Sequence, residues 1–391
     1  MQDVLLKPND SAHDAVRESA RPPRDRSVLV LGAGVSGLTT AFCLGRRGCA
    51  VTVVADRLAP HVTSNVAGAL WEWPPAVCGH QYDEASLTRS KRWCEISYAT
   101  LTELANDPAT GVFLRPVTFY FRDPIDESPA ILAKMLEVSL KVAQFRHDSA
   151  LIAQNQVNPQ LGLRDAYSYL APMVDTDVYM RWLMGEVLGM GCRVVERRIS
   201  GPLHDQETSL LREFNAQAIV NCTGLGAADL TQDVVRPLRG ALVRVRNDGL
   251  VSPRITQAHC ISHTDAAGED GFIFILPRGD DMLVLGGIAE LDQAGLDIGL
   301  HNYEPVRAML RRCIEFLPAL RGAEIDSEEP VRVGLRPFRP RNVRVEHEPD
   351  THIIHNYGHG GSGVTFSWGS SIEAADLVEQ LVPPQSNFVQ H

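Results

Sequence analysis

A run of apolar residues that breaks at once into glycines constrains this chain more than any other feature. Val28-Leu29-Val30-Leu31 leads directly into Gly32-Ala33-Gly34-Val35-Ser36-Gly37. A continuous apolar run reads as a parallel strand buried on both faces. Leu38 to Arg47 then carries Leu38, Ala41, Phe42 and Leu44 at helical spacing and stops at Gly48. Ala50 to Ala55 reads as a second strand, closed by Asp56-Arg57. The whole is one βαβ unit with a G-x-G-x-x-G turn. Gly32 permits the tight turn, Gly34 lets backbone approach a pyrophosphate, and Gly37 lets helix and strand pack. The anion sits on the helix N-terminus. Asp56 lies 24 residues beyond Gly32, where a carboxylate accepts from ribose hydroxyls and disfavours a 2′-phosphate, and so NADP. The bland alternative is a glycine-rich turn with a surface Asp. A strand before, a helix after and an acid closing the second strand weigh against it.

The rest of the chain alternates helical and strand patterns. Helices are expected around Thr88–Leu104, Ala130–Phe145 and Asp177–Leu188, with strands at Val117–Phe121, Cys192–Val195 and Ala218–Cys222. Strands suited to an antiparallel sheet follow at Gly240–Val245, Gly271–Leu276 and Met282–Gly287. A last strand, Ile353–Tyr357, opens into Gly358-His359-Gly360-Gly361-Ser362-Gly363 and a helix through Leu377. The expected fold class is α/β, a Rossmann-like dinucleotide domain with a substrate domain built on an antiparallel sheet. The expected division is a mobile extension at 1–26, a discontinuous dinucleotide-binding domain at 27–75, 171–232 and 330–383, and a substrate domain at 76–170 and 233–329.

Composition excludes several classes. A formal net charge of −11 argues against a nucleic-acid partner, which needs a Lys/Arg surplus. No stretch reaches the ~20 apolar residues of a membrane span, and residues 1–26 lack the apolar core of a secretory signal. The 8 cysteines form no C-x-x-C pair and suit neither zinc nor a disulfide scaffold, so buried thiols in the cytoplasm are expected. No metal constellation and no Ser/His/Asp arrangement is found. His355 and His359 read as residues bracing a loop.

Distant segments decide between NAD and FAD. The apolar strand ending in Asn221-Cys222-Thr223-Gly224 brings backbone to a cofactor a second time. The C-terminal cluster, six residues of which four are glycine, brings it a third time, with a helix N-terminus suited to negative charge. Thr365, in that helix's first turn, is placed either to donate to a flavin edge or to bond its own backbone. Three such segments suit extended FAD.

These residues resemble the D-amino-acid oxidase family of FAD enzymes, from Val28 to about Ala375. The most specific match is His355-Asn356-Tyr357-Gly358-His359-Gly360-Gly361, beside Ala55-Asp56-Arg57, Val66-Ala67-Gly68-Ala69-Leu70-Trp71, Arg239-Gly240 and Gly334-Leu335-Arg336-Pro337. The resemblance implies non-covalent FAD and extends the cofactor set. That set is Gly32, Ala33, Gly34, Val35, Ser36, Gly37, Asp56, Arg57, Thr63, Ser64, Gly68, Ala69, Leu70, Ile199, Thr223 and Gly224. It continues with Gly358, Gly360, Gly361, Ser362, Gly363, Val364 and Thr365. It further implies that Arg336, in a Gly/Pro-rich loop, pairs with a substrate carboxylate, and that the Gly361 carbonyl accepts from the substrate amine. The α-hydrogen would pass to the flavin, the imine would hydrolyse, and dioxygen would become hydrogen peroxide. A homodimer is compatible with this reading.

The sequence also departs from the family. Phe274 stands where a carboxylate-binding Tyr is expected, Ser362 replaces a bulkier residue, and Glu72 stands where an amide is common. A larger or basic amino-acid-like substrate is therefore expected. Rival readings are a secondary-amine or glycine-type oxidase, a flavin dehydrogenase, an NAD-dependent dehydrogenase and a non-catalytic FAD-binding protein.

Overall fold

The computed structural model describes residues 26–74, 83–261 and 272–383. Residues 1–25, most of the expected extension, lie outside it, as do Cys78 and Gly268–Gly271. Two sheets dominate. The first has six strands in the order Arg344–His347, Ile353–Tyr357, Ala218–Asn221, Ser27–Leu31, Ala50–Ala55, Arg193–Glu196. All pair in parallel except Arg344–His347, which runs antiparallel to Ile353–Tyr357. Its opening strand shows why the sequence is continuously apolar. Val28 and Val30 pack with Leu38, Ala41 and Leu44 of helix Val35–Arg46. Leu29 and Leu31 face the other way, onto Leu203 and Leu210 of helix Leu203–Glu213. Period-two alternation with helices on both sides leaves no polar face.

The second sheet has nine strands, running Glu290–Leu291, Arg236–Arg246, Met282–Gly286, Ile273–Arg278, Ala258–Ile261, Val112–Phe121, Asp165–Val174, Ala143–His147, with Val331–Phe338 also on Arg236–Arg246. Pairing is antiparallel apart from Val112–Phe121 with Ala258–Ile261. Helix Glu304–Phe316 buries Val306, Met309, Cys313 and Phe316 against one face of it. Strands Asp165–Val174 and Val331–Phe338 of this sheet cross or adjoin the limits expected at residues 171 and 330.

Three local readings are corrected. The helix expected over Ala130–Phe145 ends at Ser139, and Ala143–His147 pairs as a strand with Asp165–Val174. That second strand carries Tyr167, Tyr169 and Leu170, and its pairing outweighs local helical pattern. Arg336 is not in a loop but inside strand Val331–Phe338, opposite Leu238. His355 is not a loop brace either. It sits within strand Ile353–Tyr357 and shares a 2.7 Å hydrogen bond between Nε2 and Glu348 Oε2. Arg26 is ordered by its 3.0 Å ion pair with Glu379 and by donation to Arg47 O at 2.8 Å.

Candidate functional site

A cavity of about 890 Å³ opens where the parallel strands end, beside Leu31, Ala55, Cys222 and Tyr357, and runs to the antiparallel sheet at Leu276 and Gly286. The carboxyl ends of parallel strands are where open α/β sheets bind ligands. Gly32, Ala33, Gly34, Val35, Ser36, Asp56, Arg57, Thr63, Ser64, Gly68, Ala69 and Leu70 line it. So do Ile199, Thr223, Gly224, Gly360, Gly361, Gly363, Val364 and Thr365. The residues assigned to substrate, Glu72, Phe274, Arg336 and Gly361, line the same cavity.

Gly37, Gly358 and Ser362 do not line it. A Cβ on Gly37 would lie 1.9 Å from Gly32 O, so this glycine serves helix–strand packing. A Cβ on Gly358 would lie 2.9 Å from Arg339 Cβ. Ser362 is buried, donates its N–H to His359 O at 2.9 Å, and its Oγ has no partner among the described residues.

One end of the cavity is made of backbone. Gly32 has φ +105 and a Cβ there would be 2.5 Å from Cys222 O, so only glycine closes this turn. Helices Val35–Arg46 and Gly363–Leu381 both begin at the cavity with no side-chain cap and no acid in the first turn. Their dipoles, and their first amides other than Val35 N, are thus available to an anion. Ser64 Oγ accepts from Val35 N at 2.9 Å, tying the 63–70 segment to the glycine turn. Asn221 Oδ1 accepts from Thr223 N and Oγ1 at 3.2 and 2.7 Å, fixing the second turn. Asp56 and Arg57 are half-exposed at the rim. Thr365 Oγ1 donates to Leu70 O at 3.5 Å, linking the helix start to the 63–70 segment. Burial raises the Cys222 thiol to about 12 and lowers the imidazole of His359 to about 4, so both are neutral near pH 7.

The other end is made of side chains from the antiparallel sheet. Arg336 lies flat against Gly240, where a Cβ would come within 2.3–2.5 Å of three guanidinium atoms. Its Nη1 donates to Ile288 O at 3.0 Å. Arg336 opposes Leu238 on the neighbouring strand, so Gly240 is its diagonal neighbour on the same face. Phe274 packs edge-on to Phe272 at 5.5 Å, with Leu242 and Leu276 completing an apolar wall. Glu72 is 7% exposed, and its Oε1 accepts from Lys134 Nζ at 3.1 Å, so its charge is compensated within the protein. Sequence reasoning missed Phe272, Leu242, Gly240, Gly287 and Leu296 as cavity residues. The period-two Phe272, Phe274, Leu276 was a usable signal; the long-range placement of Gly240 under Arg336 had none.

Among the described residues no group of three or more His, Cys, Asp or Glu could hold a metal ion. No helix there is long and apolar enough to cross a membrane. The seven described cysteines are buried.

A cavity with glycine turns, two helix starts and an apolar wall at the far end is suited to a dinucleotide cofactor. The chain belongs to the D-amino-acid oxidase family of FAD-dependent oxidoreductases, whose profile matches residues 27–377. A D-amino-acid oxidase of Rubrobacter xylanophilus is 34% identical, covering 89% of this chain and 94% of the relative. A human D-aspartate oxidase is 30% identical, covering 91% and 95%. The glycine oxidase of Bacillus cereus shares the fold, with TM-score 0.70 and 19% identity over 91% of this chain and 95% of that one. The protein is an FAD-dependent oxidoreductase. The two helix starts, the glycine turn at Gly32–Gly34 and the volume of the cavity, about 890 Å³, fit FAD.

Proposed function

We propose that this enzyme oxidises D-amino acids, or closely similar amines bearing a carboxylate, to imines that hydrolyse to 2-oxo acids and ammonia. Dioxygen is the electron acceptor, and buried cysteines suit action in the cytoplasm. The six-stranded side holds FAD through the glycine turns and the 63–70 segment; the nine-stranded side holds substrate.

One observation carries the reading: a guanidinium laid against a glycine inside an apolar wall. Arg336 is held by Ile288 O and Gly240 in a plane suited to a carboxylate. The Gly361 carbonyl is the acceptor for the substrate amine. FAD, held by the glycine turns and the 63–70 segment, would supply the acceptor for the hydride that leaves the substrate α-carbon. Phe272, Phe274, Leu242 and Leu276 exclude water and orient the α-carbon, so the chain contributes position and no acid or base at that carbon. Cavity-lining arginines are Arg57, Arg197, Arg198 and Arg336, and the first three sit beside Asp56 and Ile199 at the nucleotide end. Among the described residues no second cation therefore awaits an acidic side chain near Arg336. Neutral or basic D-amino acids fit; D-aspartate does not.

Anaerobic mixing of purified enzyme with panels of D-amino acids, L-amino acids and amines tests this. Bleaching of the visible flavin band by neutral or basic D-amino acids is the expected result. Bleaching by L-enantiomers alone, or by amines lacking a carboxylate in preference to amino acids, overturns it.

A further inference from the structure

The loop that runs along the cavity from Val66 to Leu70 is held from behind by a buried arginine. Arg278 ends strand Ile273–Arg278 and is 5% exposed. It does not line the cavity, whereas Ala67, Gly68, Ala69 and Leu70 do. Its Nη2 donates to Ala67 O at 2.6 Å and reaches Gly68 O at 3.5 Å. Its Nη1 donates to Thr176 Oγ1, which donates in turn to Asn65 O at 2.7 Å. Arg332 supports the same loop from the side, donating to Asn65 O at 3.2 Å and to Asp177 Oδ2 at 2.6 Å.

The geometry of a trans peptide gives this contact a direction. C=O and N–H point oppositely across each peptide plane. A guanidinium that draws the Ala67 and Gly68 carbonyls out of the cavity turns the Gly68 and Ala69 amides toward it. Neither amide has a protein acceptor among the described residues. Ala69 is held at φ 57, a left-handed conformation costly for a residue with a Cβ, so the loop needs external support to keep it. No carboxylate among the described residues forms an ion pair with Arg278, and its Nε has no partner there. The bonds it does make are nearly all to this loop and its anchor.

We infer that Arg278 is a positioning residue for the cofactor: it pins the Ala67–Ala69 backbone so that two amides donate into the FAD cavity. An arginine serves because its planar fork spans two carbonyls and a hydroxyl at once, which a lysine point charge cannot. The inference rests on FAD as cofactor and not on the choice of substrate, so it stands or falls independently of the D-amino-acid reading.

Arg278→Lys and Arg278→Met, prepared with and without FAD, test it. Three quantities are read: the FAD dissociation constant, the flavin midpoint potential, and the rise in Tm on FAD loading. The expected result for Arg278→Met is FAD binding weaker by roughly 10- to 100-fold, a more negative potential as donors to the electron-rich reduced flavin are lost, and a smaller Tm rise. Arg278→Lys, which keeps one donor to the loop, falls between; it also keeps the test decisive if Arg278→Met does not fold. Equal loss of Tm in apo and FAD-loaded protein, with potential and FAD affinity unchanged, would show Arg278 to be a fold residue only and overturn the inference.

Discussion

The two ends of the cavity are built by different means. At the Gly32 end the contacts are backbone: a turn that only glycine closes and helix starts left uncapped. At the Arg336 end they are side chains from separate strands, Arg336 over Gly240 and Phe274 beside Phe272. Backbone sites demand glycine at fixed sequence spacing, so they tolerate almost no change. Side-chain sites are adjusted one residue at a time, which is how relatives of one fold come to act on different substrates.

The largest expected effects lie at the glycine end, and two neighbouring positions separate its roles. Gly37→Ala sets a Cβ 1.9 Å from Gly32 O, so it should abolish folding, read as loss of soluble monodisperse protein. Gly34→Val should fold, because the first atom a Cβ meets is Ser64 Oγ at 3.3 Å, yet purify without flavin. Full flavin content in Gly34→Val would mean that the pyrophosphate lies elsewhere.

That contrast also explains what was legible. The βαβ unit, the Thr223-Gly224 turn and strand Ile353–Tyr357 stood out because glycine spacing and apolar runs record backbone requirements locally. Arg336 was found by resemblance, but its place in a strand was hidden by Gly334, Pro337 and Pro340, which read as loop. Gly334 and Pro337 are tolerated because Val331–Phe338 pairs along its whole length with one strand only, and Pro340 lies beyond it. Gly240 and Arg278 act through neighbours tens of residues away, Arg336 and Ala67, and no local pattern marks such pairs.

At the side-chain end, Arg336→Lys should leave flavin content unchanged and lower kcat/KM for D-amino acids by roughly 30- to 1000-fold, since a fork becomes a point charge. A change within twofold would place the carboxylate elsewhere. Gly240→Ala tests the same site without touching the charge. Its Cβ must displace the guanidinium, so KM should rise by about 10- to 100-fold with an intact flavin spectrum. An unchanged KM would show that Arg336 adapts and that its seat is not specific.

Acid should weaken both the glycine end of the cavity and the antiparallel sheet behind the other. His359 beside the glycine cluster and His259 in the antiparallel sheet are each drawn by burial from 6.5 to about 4. Each therefore contributes fully above about pH 6.5, and that contribution is lost as pH falls from 6.5 toward 4, by about 2 kcal/mol per histidine at pH 5. The Tm of wild type should drop over this range, and His259→Gln or His359→Gln should each flatten the profile. A profile equally steep in both variants would assign the acid sensitivity to other groups.

The smallest effect expected is a gain. Phe274→Tyr adds a hydroxyl to a half-buried ring on the apolar wall, in the family's position for a carboxylate donor. A hydrogen bond to a charged group contributes about 1.5–3 kcal/mol when well formed. The new hydroxyl must also lose water, so the net effect should be a three- to tenfold fall in KM, roughly 1 kcal/mol. The gain should appear for D-amino acids and vanish for amines lacking a carboxylate, because only the former offer an acceptor. Combined with Arg336→Lys it should recover part of the lost efficiency, since both donors would serve one carboxylate and their effects should couple. Additive effects, or a gain that ignores the carboxylate, would mean that Phe274 and Arg336 face different parts of the substrate. The side-chain end would then hold two independent subsites instead of one.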